Sequence, residues 1–575
     1  MKQMKKRLLT FLLAGALLFS AAGCGQTPAE SRPVSGSSAA VAESAVSEGT
    51  GSAGEDASGG LVLEGGFRAV TYPAEAVQTL EQRGLSADEF AGRAAAGHDY
   101  SGNGGHSGSG LVISPRYTLR VNGREVPVYA AQVFIGSDGG RGALHAFAVV
   151  ETQGEVRLTA ALRKLDGAPA DAVVLPASLG VKPAVSGDTV TLNADGPGSY
   201  TVLVDGASQD SAFTLFVRTA RDEEKEIQEY RDAYGEDHVL VYEPGLHEVD
   251  FIDIPSNDYV VYLRTGALLL AKHKFDIRSD EENSTVREEG IDGKIGTGQQ
   301  RFPFINCHSK KNVRIVGGGT VDFTPLDWHE RRGVFMTSTW DIRIEGITLV
   351  NAPEWTLTTY RCTNVDIKDL IIFGYRTNSD GVAVCNSVDV TVSDCFARSG
   401  DDLFEVKTLG GDASAVSRNV TFQGCVAWGG KARCFGIIGE VNRPISNVAF
   451  RDCAILYRDA TWDNDRLGGL VIVVEETGAA ISGVVFENIE IFRDMGRAVN
   501  CCIYNPQLQG CQVTGVEFRN IAYTAEMPAQ FKMREQGCSL EAVLENVSAG
   551  GERITQENLD RLVVRDDACR LTITG

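Results

Sequence analysis

A four-residue motif with two apolar positions recurs eight times in the second half of the chain. Its first residue is polar or glycine, its second is valine or isoleucine, and its fourth is valine, isoleucine or phenylalanine. Successive copies start 29, 23, 25, 30, 28, 36 and 32 residues apart, which is too irregular for a helical repeat but suits coils of short strands joined by unequal loops. The pattern therefore predicts a parallel β-helix whose coils stack about 4.8 Å apart. The copies start at Asn312, Asp341, Asn364, Asp389, Asn419, Asn447, Gly483 and Gly515.

The residue six positions after the start of each copy is apolar from the second copy onward. An apolar residue at a fixed phase predicts a column of side chains inside the β-helix, where cysteine behaves as a small hydrophobic residue. The cysteines in this column are therefore expected to be buried free thiols, and not disulfides, metal ligands or nucleophiles. The column consists of Ile347, Leu370, Cys395, Cys425, Cys453, Ile489 and Ile521.

The chain before the repeats divides by composition. Residues 111–218 alternate short strand patterns with turn signals such as Asn122-Gly123, which predict a small β-sandwich. We expect this domain to pack against its neighbour, with carbohydrate binding as the alternative. Residues 219–575 are assigned to the β-helix, so the predicted fold class is all-β. Residues 61–110 are partly helix-like and have no functional interpretation.

The first 24 residues have the composition of an export signal. A basic start is followed by the apolar stretch Leu8–Phe19, which is short for a membrane span, and then by small residues that end at Cys24. This ending resembles a bacterial lipoprotein signal, which implies lipidation of Cys24 and attachment to the outer face of a bacterial cell membrane. An ordinary secretory peptide is the alternative. Residues 25–60 are rich in Ser, Ala, Gly and Glu, which predicts a disordered tether.

The net charge of −22 limits the possible partners. Nucleic acids and anionic membrane surfaces are bound through basic patches, so the charge argues against both. It also counts against a polyanionic substrate. The sequence contains no glycine-rich phosphate loop and no histidine-rich metal motif. We therefore expect neither a cofactor nor a metal.

Three aspartates stand at related positions in neighbouring repeats. Asp380 precedes the copy that starts at Asp389, and Asp401 and Asp402 end the same coil. The 21 residues from Asp380 to Asp401 are close to one coil, so we expect the carboxylates on one face. Inverting hydrolysis of a glycosidic bond needs one carboxylic acid to protonate the leaving oxygen and carboxylates that activate water. Crowding of like charges raises one pKa and keeps that acid protonated.

The residues around the aspartates resemble glycoside hydrolase family 28, the polygalacturonases. Asn378-Ser379-Asp380-Gly381 is similar to that family's Asn-Thr-Asp-Gly motif, and Gly400-Asp401-Asp402 to its Asp-Asp motif. The resemblance covers residues 242–505 and implies a right-handed parallel β-helix of the pectin-lyase type. It also implies that the first aspartate of the pair is the general acid and that the other two activate water. A bulge or turn is expected at the pair.

Two departures from family 28 concern the substrate. The stretch Arg433–Gly439 stands where polygalacturonases carry Gly-His-Gly, and Val471-Ile472-Val473 stands where they carry the Arg-Ile-Lys that engages the substrate carboxylate. A β-sandwich ahead of the β-helix, together with Val426–Lys431, is similar to family 49, the dextranases and isopullulanases. We therefore favour a neutral α-glycan over pectin.

Six further residues are predicted to contact substrate. Trp428 is the candidate for stacking on a sugar ring. Glu405 and Lys407 follow the aspartates at alternate positions and are expected to point into the cleft, with salt bridging as the alternative, whereas Trp355 resembles a core position. The six residues are Asn378, Trp428, Lys407, Arg376, Arg433 and Glu405.

The predicted function is therefore an inverting glycoside hydrolase that acts on a poly- or oligosaccharide. Three alternatives remain: a polygalacturonase-like pectin hydrolase, a polysaccharide lyase that binds Ca²⁺ through the aspartates, and a lipid-anchored β-helix that binds glycans without cleaving them.

Overall fold

The structure is a computed structural model that describes residue 63 and residues 66–96, 108–136, 140–154, 156–272, 303–328, 330–410, 414–476, 478–504, 510–534 and 537–575. The predicted signal peptide, the predicted lipidation site Cys24 and the predicted tether lie outside these residues. Within the described residues, no helix is both long enough and apolar enough to cross a membrane.

The first domain is a sandwich of two sheets. Sheet A has seven strands, in the order Leu111–Ile113, Tyr129–Ile135, Arg141–Thr152, Phe213–Thr219, Gly198–Val204 and Ala172–Leu175, with Phe67–Ala69 also paired to Arg141–Thr152. Sheet B has five, in the order Arg124–Val126, Tyr117–Val121, Arg157–Lys164, Thr189–Asp195 and Ala184–Ser186.

Alternation of apolar and polar residues closes the sandwich. The strand Tyr117–Val121 buries every second side chain, and its apolar residues face the inner side of sheet A across a shared core. Short helical segments accompany the two domains. Among the described residues, the α-helices are Ala87–Ala96, Glu223–Tyr234 and Leu559–Leu562, and the 3₁₀ turns are Ala177–Leu179, Gln209–Ser211 and Glu236–His238.

The second domain is a parallel β-helix with three strands in most coils, and the predicted fold class is confirmed. Its strands pair in parallel except for Glu552–Arg553, which pairs antiparallel with its neighbour. Sheet 1 contains Val239–Tyr242, Tyr259–Leu263, Lys311–Gly317, Trp340–Glu345, Thr363–Lys368, Val388–Ser393, Ser417–Gln423, Ile445–Arg451, Ser539–Ala549, Cys569–Thr574 and the first halves of the long strands Ile481–Arg497 and Gln512–Met527. Sheet 2 contains Gly245–Val249, Ala267–Ala271, Thr320–Asp322, Thr348–Val350, Ile371–Phe373, Phe396–Arg398, Val426–Gly429, Ala454–Arg458 and the second halves of the same long strands. Sheet 3 contains Ile252–Asp253, Ile305–His308, Val334–Thr337, Leu357–Tyr360, Val382–Cys385, Phe404–Thr408, Phe435–Val441, Leu470–Val474, Val499–Ile503, Ala529–Met533 and Val563–Arg565.

The first residue of each repeat has a backbone conformation that explains its identity. Asn364 and Asn447 have φ of 58° and 54°, and Gly483 and Gly515 have φ of 64° and 62°. Asparagine, aspartate and glycine tolerate this left-handed region better than other residues. The side chains also bond from coil to coil, as between Asn364 Nδ2 and Asp341 Oδ1 at 2.7 Å.

The predicted interior column is buried throughout. Cys395, Cys425 and Cys453 are at most 3% exposed and belong to the core of the β-helix together with the isoleucine and leucine members. They are free thiols, as are all cysteines among the described residues. Burial also raises the pKa of the Cys425 thiol well above its ordinary value. The prediction of buried, unpaired thiols is confirmed.

The sandwich packs its sheet A against the outer face of sheet 2. Phe147 and Phe216 of the sandwich meet Phe373 and Phe396 of the β-helix, with ring centroids 5.0 Å apart for Phe147 and Phe373 and 5.1 Å apart for Phe216 and Phe396. These rings belong to one buried cluster that spans both domains. Sheet 2 is therefore covered, whereas the turns between sheets 2 and 3 remain at its edge.

Candidate active site

The three aspartates lie in the turns that lead from sheet 2 to sheet 3. Asp380 precedes the strand Val382–Cys385, and Asp402 precedes the next strand of the sheet, Phe404–Thr408. Val382 pairs with Phe404, so the coil offset is 22 residues and Asp380 stacks directly on Asp402. Asp401 lies one position earlier, in a bend between strands, in agreement with the expected turn.

Glycines allow these turns to stack closely. A Cβ on Gly381 would lie 2.4 Å from the carbonyl oxygen of Leu403, and one on Gly400 would lie 2.0 Å from that of Arg376. Ser379 Oγ accepts a 3.0 Å hydrogen bond from the Gly400 N–H, which joins the two turns. The glycines of both motifs are thus required by backbone contact between coils.

Asp401 is half-buried and held by backbone donors. Its Oδ2 accepts a 2.9 Å hydrogen bond from the Asn378 N–H, and its Oδ1 accepts a 3.0 Å bond from the Asp402 N–H. Asn378 has φ of 64°, which suits asparagine. Burial and the negative charge of Asp402 raise the pKa of Asp401 to about 6, against the opposing effects of Asn378 and Arg433.

Asp380, Asp402 and Glu405 form a tight cluster of buried carboxyl groups. One oxygen of each lies within 4.8 Å of the others. The ammonium of Lys407 lies 3.5 Å from Asp380, 3.1 Å from Glu405 and 3.2 Å from Glu440. Burial raises the pKa of Asp380 to about 8 although Lys407 acts to lower it, and burial also raises the pKa of Glu405. Protons are therefore shared within this cluster near neutral pH.

Arg433 binds Asp402 through both of its oxygens. The Nε–Oδ1 and Nη2–Oδ2 distances are 2.8 and 2.9 Å, and the Arg433 backbone N–H donates to Oδ1 at 3.0 Å. Glu475 lies on the other side of the guanidinium, 3.1 Å from Nη1. Burial acts to lower the pKa of Arg433, but Asp402 and Glu475 raise it above its ordinary value. This geometry suits an ionised Asp402.

Two residues predicted to bind substrate do not reach the cleft. Trp428 is completely buried in the cluster between sheet A and sheet 2, with its indole N–H 3.2 Å from Gln209 Oε1 of the sandwich, so it is not a sugar platform. Arg376 is also completely buried and donates to the carbonyl oxygens of Asn351 and Thr324 at 3.0 and 2.8 Å. Their roles are structural, and both predictions are wrong.

The other four predicted residues lie beside the aspartates in different ways. Asn378 acts through its backbone, and Arg433 acts on Asp402. Glu405 and Lys407 are both buried and joined to each other, so the salt-bridge alternative describes them.

Two neighbours of the site, Trp355 and Trp328, were not predicted from the sequence to lie there. Trp355 is half-buried, not a core residue, and its ring centroid lies 4.7 Å from the Lys407 ammonium. The repeat could have placed Trp355 near the site, because the N–H of the next residue, Thr356, donates to the Asp380 carbonyl in the following coil. Trp328 donates its indole N–H to the Thr377 carbonyl at 2.8 Å, but no repeat pattern marks it.

The fold and site define a parallel β-helix with three converging aspartates, the architecture expected from the resemblance. Residues 294–551 match the model of glycosyl hydrolases family 28. The chain is 24% identical over 257 residues to Polygalacturonase QRT2 of Arabidopsis thaliana, covering 41% of this chain and 56% of that protein. It is 25% identical over 199 residues to an Exopolygalacturonase of Zea mays, covering 32% and 45%. The chain thus spans about half the length of the curated relatives it matches.

Among solved structures, the chain is similar to Dex49A from Penicillium minioluteum. The TM-score is 0.51, the sequence identity is 14%, and the alignment covers 83% of this chain and 97% of that one. At this identity the similarity concerns the fold. The predicted resemblance to β-helical glycoside hydrolases is confirmed.

Proposed function

We propose that the protein is an inverting glycoside hydrolase in which Asp401 is the general acid and Asp380 and Asp402 activate water. The observation that carries this proposal is the convergence of the three aspartates from two neighbouring coils. The match to family 28 supports the same class of reaction.

The environments of the three carboxyl groups support different roles. Asp401 is the most exposed of the three, and its pKa of about 6 allows it to hold a proton for the leaving oxygen in mildly acidic solution. Asp380 and Asp402 have oxygens within 4.8 Å of each other, a separation at which one water can donate to both. Asp380 shares a hydrogen bond with Glu405, and burial raises the pKa of both groups, so the role of Asp380 as a base requires the shared proton to lie on Glu405.

Three basic side chains near the aspartates are already paired with acids, which supports a neutral glycan as substrate. Lys407 is paired with three acids, Arg433 with Asp402 and Glu475, and Arg466 with Asp463 at 2.8 Å. A uronate would have to compete with these acids for its cations. The negative charge of the whole chain also disfavours a polyanion.

The apolar residues that replace the Arg-Ile-Lys element also support a neutral substrate. Val471 and Val473 are completely buried and pack with Ile438 in a cluster separate from the β-helix core. A Cβ on Gly468 would lie 2.7 Å from Val471 Cγ1, so this patch is covered by the preceding loop. We therefore propose a neutral α-glycan of the dextran or isopullulan type.

Hydrolysis of galacturonan is the second candidate, because the curated relatives are named as polygalacturonases. A Ca²⁺-dependent lyase is disfavoured because the Lys407 ammonium already lies 3.5 Å from Asp380 and 3.1 Å from Glu405, where it would repel a divalent cation.

The test is a hydrolysis screen of the purified protein on dextran, pullulan and polygalacturonate, followed by NMR of the first anomer released. We expect new reducing ends from a neutral glycan, an inverted anomer, and a loss of kcat of about 10²-fold or more in Asp401→Asn. Asp366→Asn is the matched control because Asp366 is exposed on sheet 1. A retained anomer, or full activity in Asp401→Asn, contradicts the mechanism, and cleavage of polygalacturonate alone contradicts the substrate.

We further propose that the protein is exported and anchored to the outer face of a bacterial membrane through lipid on Cys24. Its sequence context supports this. Metabolic labelling with palmitate in a bacterial host should mark the wild type and not Cys24→Ser; equal labelling of both contradicts the proposal.

A further inference from the structure

Lys431 is a buried lysine beside the candidate active site that the mechanism above does not use. It follows the strand Val426–Gly429 and is 6% exposed. Its Nζ lies 3.2 Å from Thr377 Oγ1. Thr377 precedes Asn378, whose backbone N–H donates to Asp401 at 2.9 Å. The ammonium therefore lies beside the turn that holds the general acid.

The β-sandwich encloses Lys431 from another side. The ring centroid of Phe134, in sheet A, lies 4.4 Å from Lys431 Nζ. A Cβ on Gly430 would lie 2.5 Å from the Phe134 carbonyl oxygen, and one on Gly136 would lie 2.2 Å from that of Gly430, so the two backbones are in contact. The Lys431 carbonyl accepts a 2.8 Å hydrogen bond from the Trp462 indole. These contacts fix both the backbone and the side chain of the lysine.

Few charged groups surround Lys431 and Asp401. Burial lowers the pKa of Lys431 to about 7, and Asp401 is the charged group that acts to raise it. Asp401 in turn faces Asp402, Arg433 and Lys407. Arg433 and Lys407 are each paired with other carboxylates, whereas Lys431 is hydrogen-bonded to a neutral hydroxyl. Lys431 is therefore the cation whose main electrostatic partner is Asp401.

We propose that Lys431 is a positioning residue for Asp401, and that the β-sandwich takes part in the reaction by holding Lys431 against Phe134. The proposal rests on the role of Asp401 as general acid. A cation beside the acid stabilises the carboxylate that forms when the proton passes to the leaving oxygen. The sandwich thereby gains a role beyond covering sheet 2.

A double-mutant cycle of unfolding tests the coupling without any substrate. The wild type, Lys431→Met, Asp401→Asn and the double variant are unfolded in urea at pH 4.5, 6.5 and 9. At pH 6.5 both groups carry charge, and the unfolding constants should deviate from additivity by about tenfold. The deviation should disappear at pH 4.5, where Asp401 is protonated, and at pH 9, where Lys431 is neutral. Additivity within about twofold at all three pH values overturns the proposal.

The contribution of the sandwich has its own variant. Phe134→Leu removes the aromatic face and should reduce the deviation at pH 6.5. The matched control is Phe213→Leu, which lies in the core between sheets A and B, away from Lys431. An equal deviation in Phe134→Leu and Phe213→Leu overturns the role of the sandwich.

The pH–rate profile distinguishes tuning of the acid from a purely structural effect. Without Lys431 the acid should keep its proton to higher pH, so the high-pH limb of kcat/KM should rise by about one pH unit in Lys431→Met and return in Lys431→Arg. An unmoved limb overturns the proposal. If Asp401→Asn retains full hydrolysis, the proposed function fails, and the unfolding cycle still decides whether Lys431 and Asp401 are coupled.

Discussion

The ion pair between Arg433 and Asp402 offers the sharpest test of the site's energetics. The Asp402 side chain is 3% exposed and that of Arg433 11%, so neither charge is well solvated. Replacing Arg433 by Met removes the donors at 2.8 and 2.9 Å and leaves Asp402 with the backbone N–H at 3.0 Å. Removing one partner of a buried pair costs about 3–5 kcal/mol, and we expect the free energy of unfolding at pH 7 to fall by this amount.

Equilibrium unfolding in urea, followed by tryptophan fluorescence, provides the measurement. Arg433→Lys should also destabilise, because an ammonium cannot form the bidentate pair. Arg519→Met is the matched control: its side chain is 38% exposed on sheet 1 and pairs with Glu545 at 3.5 Å, so its loss should cost less than about 1 kcal/mol.

A double variant separates the pair from its surroundings. In Arg433→Met with Asp402→Asn, no unpaired charge remains on Asp402, so the loss of stability should be smaller than the sum of the two single losses by about 0.5–3 kcal/mol. If Arg433→Met lowers the free energy of unfolding no more than Arg519→Met does, Arg433 does not stabilise the buried charge of Asp402, and the reasoning is refuted.

Three further predictions concern other parts of the molecule. Because burial and Asp402 raise the pKa of Asp401 to about 6, kcat/KM should fall as the pH rises through that value; a flat profile from pH 5 to 8 contradicts its role as the acid. Trp428→Ala should lower the free energy of unfolding by about 3–5 kcal/mol in urea with KM unchanged, whereas a raised KM at intact stability would restore the sugar-platform hypothesis. Cys425 should resist thiol reagents in the folded protein and react after unfolding, as followed by mass spectrometry; fast labelling of the native protein contradicts a buried thiol.

The β-helix was predictable because each coil repeats the same local requirements. The first motif position needs a left-handed backbone, and the second and fourth positions face the core, as Val365 and Ile367 do. The strand's alternation ends at the sixth position, where Asp369 again has a left-handed backbone, and the seventh position, Leu370, then returns to the core. These requirements recur at every coil, so eight weak signals combine into one strong prediction.

The site was only partly predictable. The repeat showed which residues meet on one face of the β-helix, but not which faces the sandwich covers. The repeat predicted that the three aspartates share one face and set Asp380 against Asp401, whereas the register of 22 residues stacks Asp380 on Asp402. Trp428 does point out of the β-helix, since the preceding Ala427 lies in the core, but the sandwich occupies the outside of sheet 2, so the sugar-platform prediction failed. Packing between domains leaves no periodic mark in the sequence, and the same reason hides the contact between Phe134 and Lys431.

The position of the sandwich connects the two domains to the chemistry of the site. It covers Phe373, Phe396 and Trp428 on sheet 2, and each of these residues belongs to a strand whose end leads towards the turns around the aspartates or Lys431. Removal of the sandwich would expose this apolar face and withdraw Phe134 from Lys431. Since interiors are close-packed and transmit displacement, the turns would lose their support on one side. The sandwich is therefore best regarded as a wall of the candidate site, and its removal should cost the proposed activity even where the β-helix itself remains folded.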